Sequence, residues 1–280
     1  MALLPDNTGT TKYKLDQIRH PSRRGRTVAM STIGHSCERH LWFSFHWAGP
    51  VEPITARLMN LFETGTRAED FMVEDLKRIG IEITDRQEEL WGFAKHAHGF
   101  TDGRAHNVPE APKTPHLVEF KTHNDKNFQK LQKEKVKVGF PKHYAQVQRY
   151  MKGTKLTRTL YIGYNKNTSA YYVERLRYDA SFANDLVRKE REIILNPNAP
   201  TKKFMRTWFE CKWCDHFGVC HDGAALDENC RTCKFVDLCE DGKWECAHQG
   251  DEGESFEIPI EVQETGCHLY EVMTIDDDKS

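Results

Sequence analysis

The chain has 280 residues, of which 38% are hydrophobic and 11% aromatic, enough for a real core and against wholesale disorder. Forty Lys and Arg stand against 42 Asp and Glu, a formal net charge of −2. No run of eighteen apolar residues occurs and the opening MALLPDNTGTTKYK lacks an apolar signal stretch, so the expectation is a globular protein of the cytoplasm with no membrane partner. Nine cysteines in such a setting point to metal or redox chemistry rather than to disulfides.

The first notable segment is basic, RHPSRRGR (Arg19 to Arg26), in a stretch that reads as irregular: a phosphate-tracking or solvated arm. Residues 54–80 carry Leu58, Leu61, Phe62, Phe71, Met72 and Leu76 at helical spacing, interrupted by Gly65 and closed by Gly80. IEITDRQEEL, WGFAKHAHGFTDGRAHNV and HLVEFKTH follow, short β-rich runs that read as three strands. Helices are predicted over 125–137 and 141–153, then a strand pair in LTRTLYIGYNKN and SAYYVERLRY, then a helix in FANDLVRKEREIIL. The order α-β-β-β-α-α-β-β-α predicts an α/β layer, helices packed on a mixed sheet. Two prolines in NPNAPTKK break the chain near 197–205, which separates a main domain (1–200) from a cysteine-rich module with a polar tail (205–280).

Charge and cysteine are both polarised. Lys121 to Lys155 has a net charge of +8, and Glu240 to Ser280 one of −11, a basic middle beside an acidic tail. That suggests a polyanion-binding face, although an ordinary Lys-rich helix surface has the same composition. Apart from Cys37, every cysteine falls between Cys211 and Cys267, and CKWCDHFGVC and CRTCKFVDLC share the spacing C-x2-C-x5-C.

Chemistry concentrates in two strands. Asp102 ends one in GFTDG, and Glu119 and Lys121 lie two apart in VEFKT, hence on one face. Two carboxylates and an ammonium converging at a sheet edge suit a hard cation such as Mg²⁺ or Mn²⁺. The plainer reading is a surface salt bridge. Apolar Val118 and Phe120 alternate with the charged pair and lean against it.

Asp102 followed by Glu119-x-Lys121 resembles the PD-(D/E)XK phosphodiesterase signature, in its RecB-like exonuclease branch. HYAQVQRYM supplies Gln146 and Tyr150, similar to the Q-x3-Y helix motif of that branch, and Gly65-x3-Glu69 matches a position where members carry Gly-x3-His or Glu. Thr101 stands where the signature has Pro. Together the motifs cover roughly residues 58–153, in the right order.

The resemblance implies a restriction-endonuclease-like mixed sheet flanked by helices, and a Mg/Mn-dependent deoxyribonuclease: an exonuclease on single-stranded or processed DNA ends in recombination, repair or phage replication. Glu69, Asp102, Glu119 and the Phe120 carbonyl would hold the metal, Lys121 would position the nucleophile, and Gln146 and Tyr150 would orient Lys121 or a phosphate. The basic segment becomes the path of the DNA backbone, through Lys126, Lys130, Lys142 and Arg149. Phe128, Phe140 and Tyr144 are candidate base-stacking residues or core, and His123 a candidate phosphate contact.

The cysteines extend the resemblance. AddB-type and CRISPR-associated nucleases bind a [4Fe–4S] cluster through one Cys before the core and a C-terminal C-x2-C-x5-C, here Cys37, Cys211, Cys214 and Cys220. Zinc at the same thiolates is the competing reading. The cluster would pin together the ends of a domain spanning 1–224, leaving 225–280 as a zinc-ribbon-like module. There Cys230, Cys233, Cys246 and Cys267 would bind Zn²⁺, with His248 or His268 able to replace a thiolate; the rival set takes Cys239 instead of Cys267. The ribbon resembles those at the ends of some phage-encoded proteins, which suggests a bacterial or phage-infected host cytoplasm. The alternative function is a catalytically silent DNA-binding scaffold that recruits a recombination or replication partner through the module; an iron–sulfur redox sensor would leave the carboxylates without a role.

Overall fold

The computed structural model describes residues 8–248 and 255–275. Acidic positions Asp251, Glu252, Glu254 and Asp276 to Asp278 of the expected tail lie outside them. The main helices are α1 (Glu38–Phe45), α2 (Ala56–Arg78), α3 (Asp125–Gly139), α4 (Pro141–Thr154) and α5 (Ala180–Leu195). Local chemistry explains where they start. The side chains of Thr55, Asn124 and Asp179 accept hydrogen bonds from the N–H groups of Leu58, Asn127 and Phe182, and Pro141 sits in the first turn of α4, where it gives up no helical bond.

Five strands, β1 (Glu82–Thr84), β2 (Arg104–His106), β3 (His116–His123), β4 (Arg158–Asn165) and β5 (Tyr171–Arg177), stand side by side in chain order. Only β3 and β4 pair in parallel; the other neighbours are antiparallel. A parallel pair needs a crossover, and α3 with α4 supplies it. The fold is therefore a mixed α/β sheet flanked by helices.

Alternation along β3 divides the core. Val118 and Phe120 face one side, with Leu160 and Ile162 of β4 and Ala68 and Met72 of α2. Leu117 and Tyr161 face the other, with Val147 and Met151 of α4 and Leu186 and Ile193 of α5. Burying each such aliphatic contributes roughly 1.5–3 kcal/mol, so the strand carrying Glu119 and Lys121 is fixed from both faces.

Three details depart from the sequence reading. The stretch 81–108 holds four strands rather than two, because left-handed residues at Asp85, Gln87, Ala94 and Lys95 reverse the chain. The additional ones, Glu89–Trp91 and Ala97–Phe100, join Val28–Ala29 in a separate three-stranded sheet. Gly65 does not interrupt α2. That helix meets the sheet through its second half only, so Leu58, Leu61 and Phe62 stay exposed.

The C-terminal cysteine-rich segment forms its own small sheet from Val236–Leu238, Trp244–Cys246 and Phe256–Glu257. It is fastened to the rest by buried contacts: Trp244 and Met273 share one apolar cluster with Trp42 and Phe45. Arg231, buried between the rings of Trp47 (3.8 Å) and Trp244 (4.6 Å), donates to the carbonyls of Arg26 and Phe45 and to Gln263. Burial pushes its guanidinium down to about 9. The basic N-terminal arm takes part, since Arg24 pairs with Asp227 and donates to the Trp47 carbonyl. Among the described residues no helix is long and apolar enough to cross a membrane.

Candidate active site and cysteine clusters

Where β2 stops pairing with β3 at Leu117, the edge of β3 is left open, and Asp102 fills it. Its carboxylate accepts the Phe120 N–H at 2.8 Å, between Glu119 and Lys121. The carbonyl of Phe120 points to the same edge as its N–H, as in any strand, and so faces Asp102. Gly103, at φ +140, makes this turn possible: a Cβ there would come within 2.8 Å of the Thr84 carbonyl oxygen.

Glu119 is completely buried and pairs with the Lys121 ammonium; apart from that ion pair neither of its oxygens has a hydrogen-bond partner. Burial, then the charge of Asp102 and of Glu69, pushes its pKa up, against the pull of Lys121. Asp102 is raised by burial despite Lys121 and the Phe120 N–H, and Glu69 is raised by burial and by Asp102. Burial works against the Lys121 charge, but Glu119 and Asp102 outweigh it and hold the ammonium protonated. Three carboxylates thus lie within electrostatic reach of Lys121, with Arg86 acting on two of them, an excess of negative charge that a divalent cation relieves. No three His, Cys, Asp or Glu side chains among the described residues already stand at metal-binding spacing. The orphaned oxygens of Glu119 and the all-oxygen donor set nonetheless fit a hard cation.

From α4, Gln146 hydrogen-bonds the Tyr150 hydroxyl one turn on, and Tyr150 feels the charges of Glu119, Lys121 and Asp102. Gly99 seats that ring, since a Cβ there would stand 2.8 Å from Tyr150 Cε1. Further residues at the site carry no motif. Tyr161 lies opposite Glu119 in the parallel ladder, and its hydroxyl meets His143 Nδ1 (2.8 Å) and His123 Nε2 (3.2 Å). Arg86, which acts electrostatically on both Glu69 and Asp102, comes from a turn with nothing to distinguish it in sequence.

Several expectations need correcting. Arg149 is not a DNA contact: it is buried and pairs with Glu190 of α5 through two hydrogen bonds, 2.7 and 3.0 Å. His123 is buried against Tyr161 and Phe140, so it is closed to a phosphate. Phe128 and Tyr144 are core, and Phe140 packs on that core. Lys126 and Lys130 are exposed along α3, and Lys142, in the first turn of α4, reaches Glu210 at 3.4 Å.

Cys37, immediately before α1, lines one cavity with Cys211, Cys214 and Cys220: after burial its sulfur raises the pKa of each of the three, and Cys214 reaches about 11. His40 Nδ1 stands 3.4 Å from Cys214 Sγ. In the C-terminal segment, Cys230 is pushed up to about 11 by burial and then by Cys267, Cys233 and Cys246. Cys239 is raised by burial and by Glu245. His248 packs edge-on against Phe235.

Among solved structures, the chain is similar to the alkaline exonuclease LHK-Exo from Laribacter hongkongensis, alone (14% identity) and in complex with dAMP (15%). In both cases 61% of this chain and 87% of that one are covered, with a TM-score of 0.44. It is also similar to SSO0001, at 17% identity over 75% of this chain and 93% of that one, with a TM-score of 0.42. No protein-family model and no curated protein matches the chain.

Proposed function

We propose that the chain is a metal-dependent deoxyribonuclease, an exonuclease of single-stranded or processed DNA ends. The carrying observation is the pair of buried Glu119 with Lys121, and Asp102 bonded to the backbone between them. A carboxylate buried inside a strand has no structural purpose that an apolar residue would not serve better, because desolvating its charge costs several kcal/mol. Glu69, Asp102, Glu119 and the Phe120 carbonyl would hold Mg²⁺ or Mn²⁺. Such an ion neutralises charge on the phosphate and acidifies water. Lys121, kept protonated by its carboxylate neighbours, donates to the nucleophile or to a phosphate oxygen. Gln146 and Tyr150 restrain it, and burial keeps the Tyr150 hydroxyl protonated as a donor.

At Cys37, Cys211, Cys214 and Cys220 we place a [4Fe–4S] cluster, with zinc as the alternative, and at Cys230, Cys233, Cys246 and Cys267 a structural zinc. The first set is supported by the cavity its four sulfurs line, and the second by the effect of Cys233, Cys246 and Cys267 on Cys230. Asp102→Asn removes one negative charge but keeps the shape. It is expected to abolish Mn²⁺-dependent cleavage and to weaken Mn²⁺ binding at least about tenfold, measured by calorimetry. Unchanged Mn²⁺ affinity would remove Asp102 from the metal site. Iron and zinc analysis of the same preparation checks the cysteine sites.

A further inference from the structure

Beyond α5 the chain runs over the surface as FMRTWFECKW (Phe204 to Trp213), leading into the first C-terminal cysteine pair. Its aromatics are not packed away. Trp213 is 88% exposed and Phe209 63%, and Trp208 stacks in parallel on Phe204, ring centres 5.2 Å apart. Singly, exposed aromatics need no explanation; as a contiguous set they mark a binding surface.

The surroundings say what binds. Lys203 lies over the Phe204 ring at 5.6 Å, while Arg206, over Phe217 at 5.2 Å, is already paired with Asp222. The one acid in the segment, Glu210, is matched by Lys142 at 3.4 Å. Protein-docking faces are depleted of lysine, whereas single-strand platforms combine ring faces for bases with cations for phosphates. Phe204, Phe209, Trp213 and Lys142 border one cavity of about 260 Å³, which they share with Cys37, Cys211 and Cys214 of the first cysteine set.

We propose that Phe204, Trp208, Phe209 and Trp213 form a base-stacking platform for single-stranded DNA, with Lys203 and Lys142 at its edge to meet the backbone. For the identity of the ligand this rests on the nuclease reading. Each stacked base contributes a sequence-tolerant contact that an abasic strand cannot make.

The test is fluorescence anisotropy without added divalent cation, using a labelled oligothymidylate and an abasic strand of equal length. Phe209→Ala with Trp213→Ala is expected to weaken oligothymidylate binding at least about fivefold and to leave the abasic strand unaffected. Trp213→Phe should largely retain affinity, and iron and zinc content should match wild type. Unchanged oligothymidylate affinity, or equal losses on both strands, would overturn the platform. So would unchanged DNA binding with loss of self-association in sedimentation, which would make the patch a protein–protein face. The two proposals fail separately: a wild type that cannot cleave but loses selective binding on mutation keeps the platform. One that cleaves, and whose variant binds normally, keeps only the nuclease.

Discussion

At the scale of single residues, what decides a side chain's role is whether burial leaves its charge compensated. Lys121 is shared between Glu119 and Asp102, which leaves more negative than positive charge around buried Glu119; that imbalance is what the proposed metal site rests on. His46 shows the opposite case. It stacks on Trp42 with ring centres 3.8 Å apart, its Nδ1 contacts the Trp42 carbonyl, and burial pushes its pKa down to about 3. Native His46 is therefore neutral, while an unfolded histidine takes a proton below about pH 6.5. Its contribution to stability is present above that pH and is lost as pH falls toward 3, at up to about 1.4 kcal/mol per unit. His46→Gln is expected to be less stable at pH 7 but to lose stability less steeply between pH 6.5 and 4, in urea denaturation followed by far-UV circular dichroism. Parallel slopes would mean that His46 is not the neutral buried group described.

At the scale of elements, α4 connects the site to the core. One face presents Gln146 and Tyr150 to the carboxylates, and another sends Arg149 to Glu190 on α5. Arg149→Ala would strand the Glu190 carboxylate in the core, so a loss of about 3–5 kcal/mol in guanidinium denaturation is expected. A loss below about 1 kcal/mol would return Arg149 to the surface and to the DNA path. Sequence spacing exposed much of this region. Two-residue alternation put Glu119 with Lys121, four-residue spacing put Gln146 with Tyr150, and the helices of the crossover lie close to where periodicity placed them. What spacing could not convey is which of ten cations in a basic segment turns inward: Arg149 and Lys152 look alike in sequence, and only the partner on α5 separates them. Nor could it place Tyr161 or Arg86, whose relation to the carboxylates depends on strand register and on a turn.

At the scale of the whole molecule, the two ends of the chain are tied to one body. Cys37 meets the cysteines after α5, and Arg231 clamps the C-terminal segment against Trp47 and Trp244. The cysteine-rich segment was legible from composition, but its attachment was not, because a buried arginine stacked between tryptophans leaves no periodic trace. Within the body so formed, α4 carries Lys142 exposed in its first turn and Gln146 and Tyr150 buried beside the carboxylates. Degradation of end-labelled single-stranded DNA with Mg²⁺ or Mn²⁺, by anaerobically purified wild type beside Lys121→Ala, is the most direct measurement. Metal-dependent cleavage by wild type, lost in Lys121→Ala with folding and metal content retained, is the predicted result. Equal cleavage by both proteins, or none by a wild type that holds its metals, would contradict a nuclease centred on Asp102, Glu119 and Lys121.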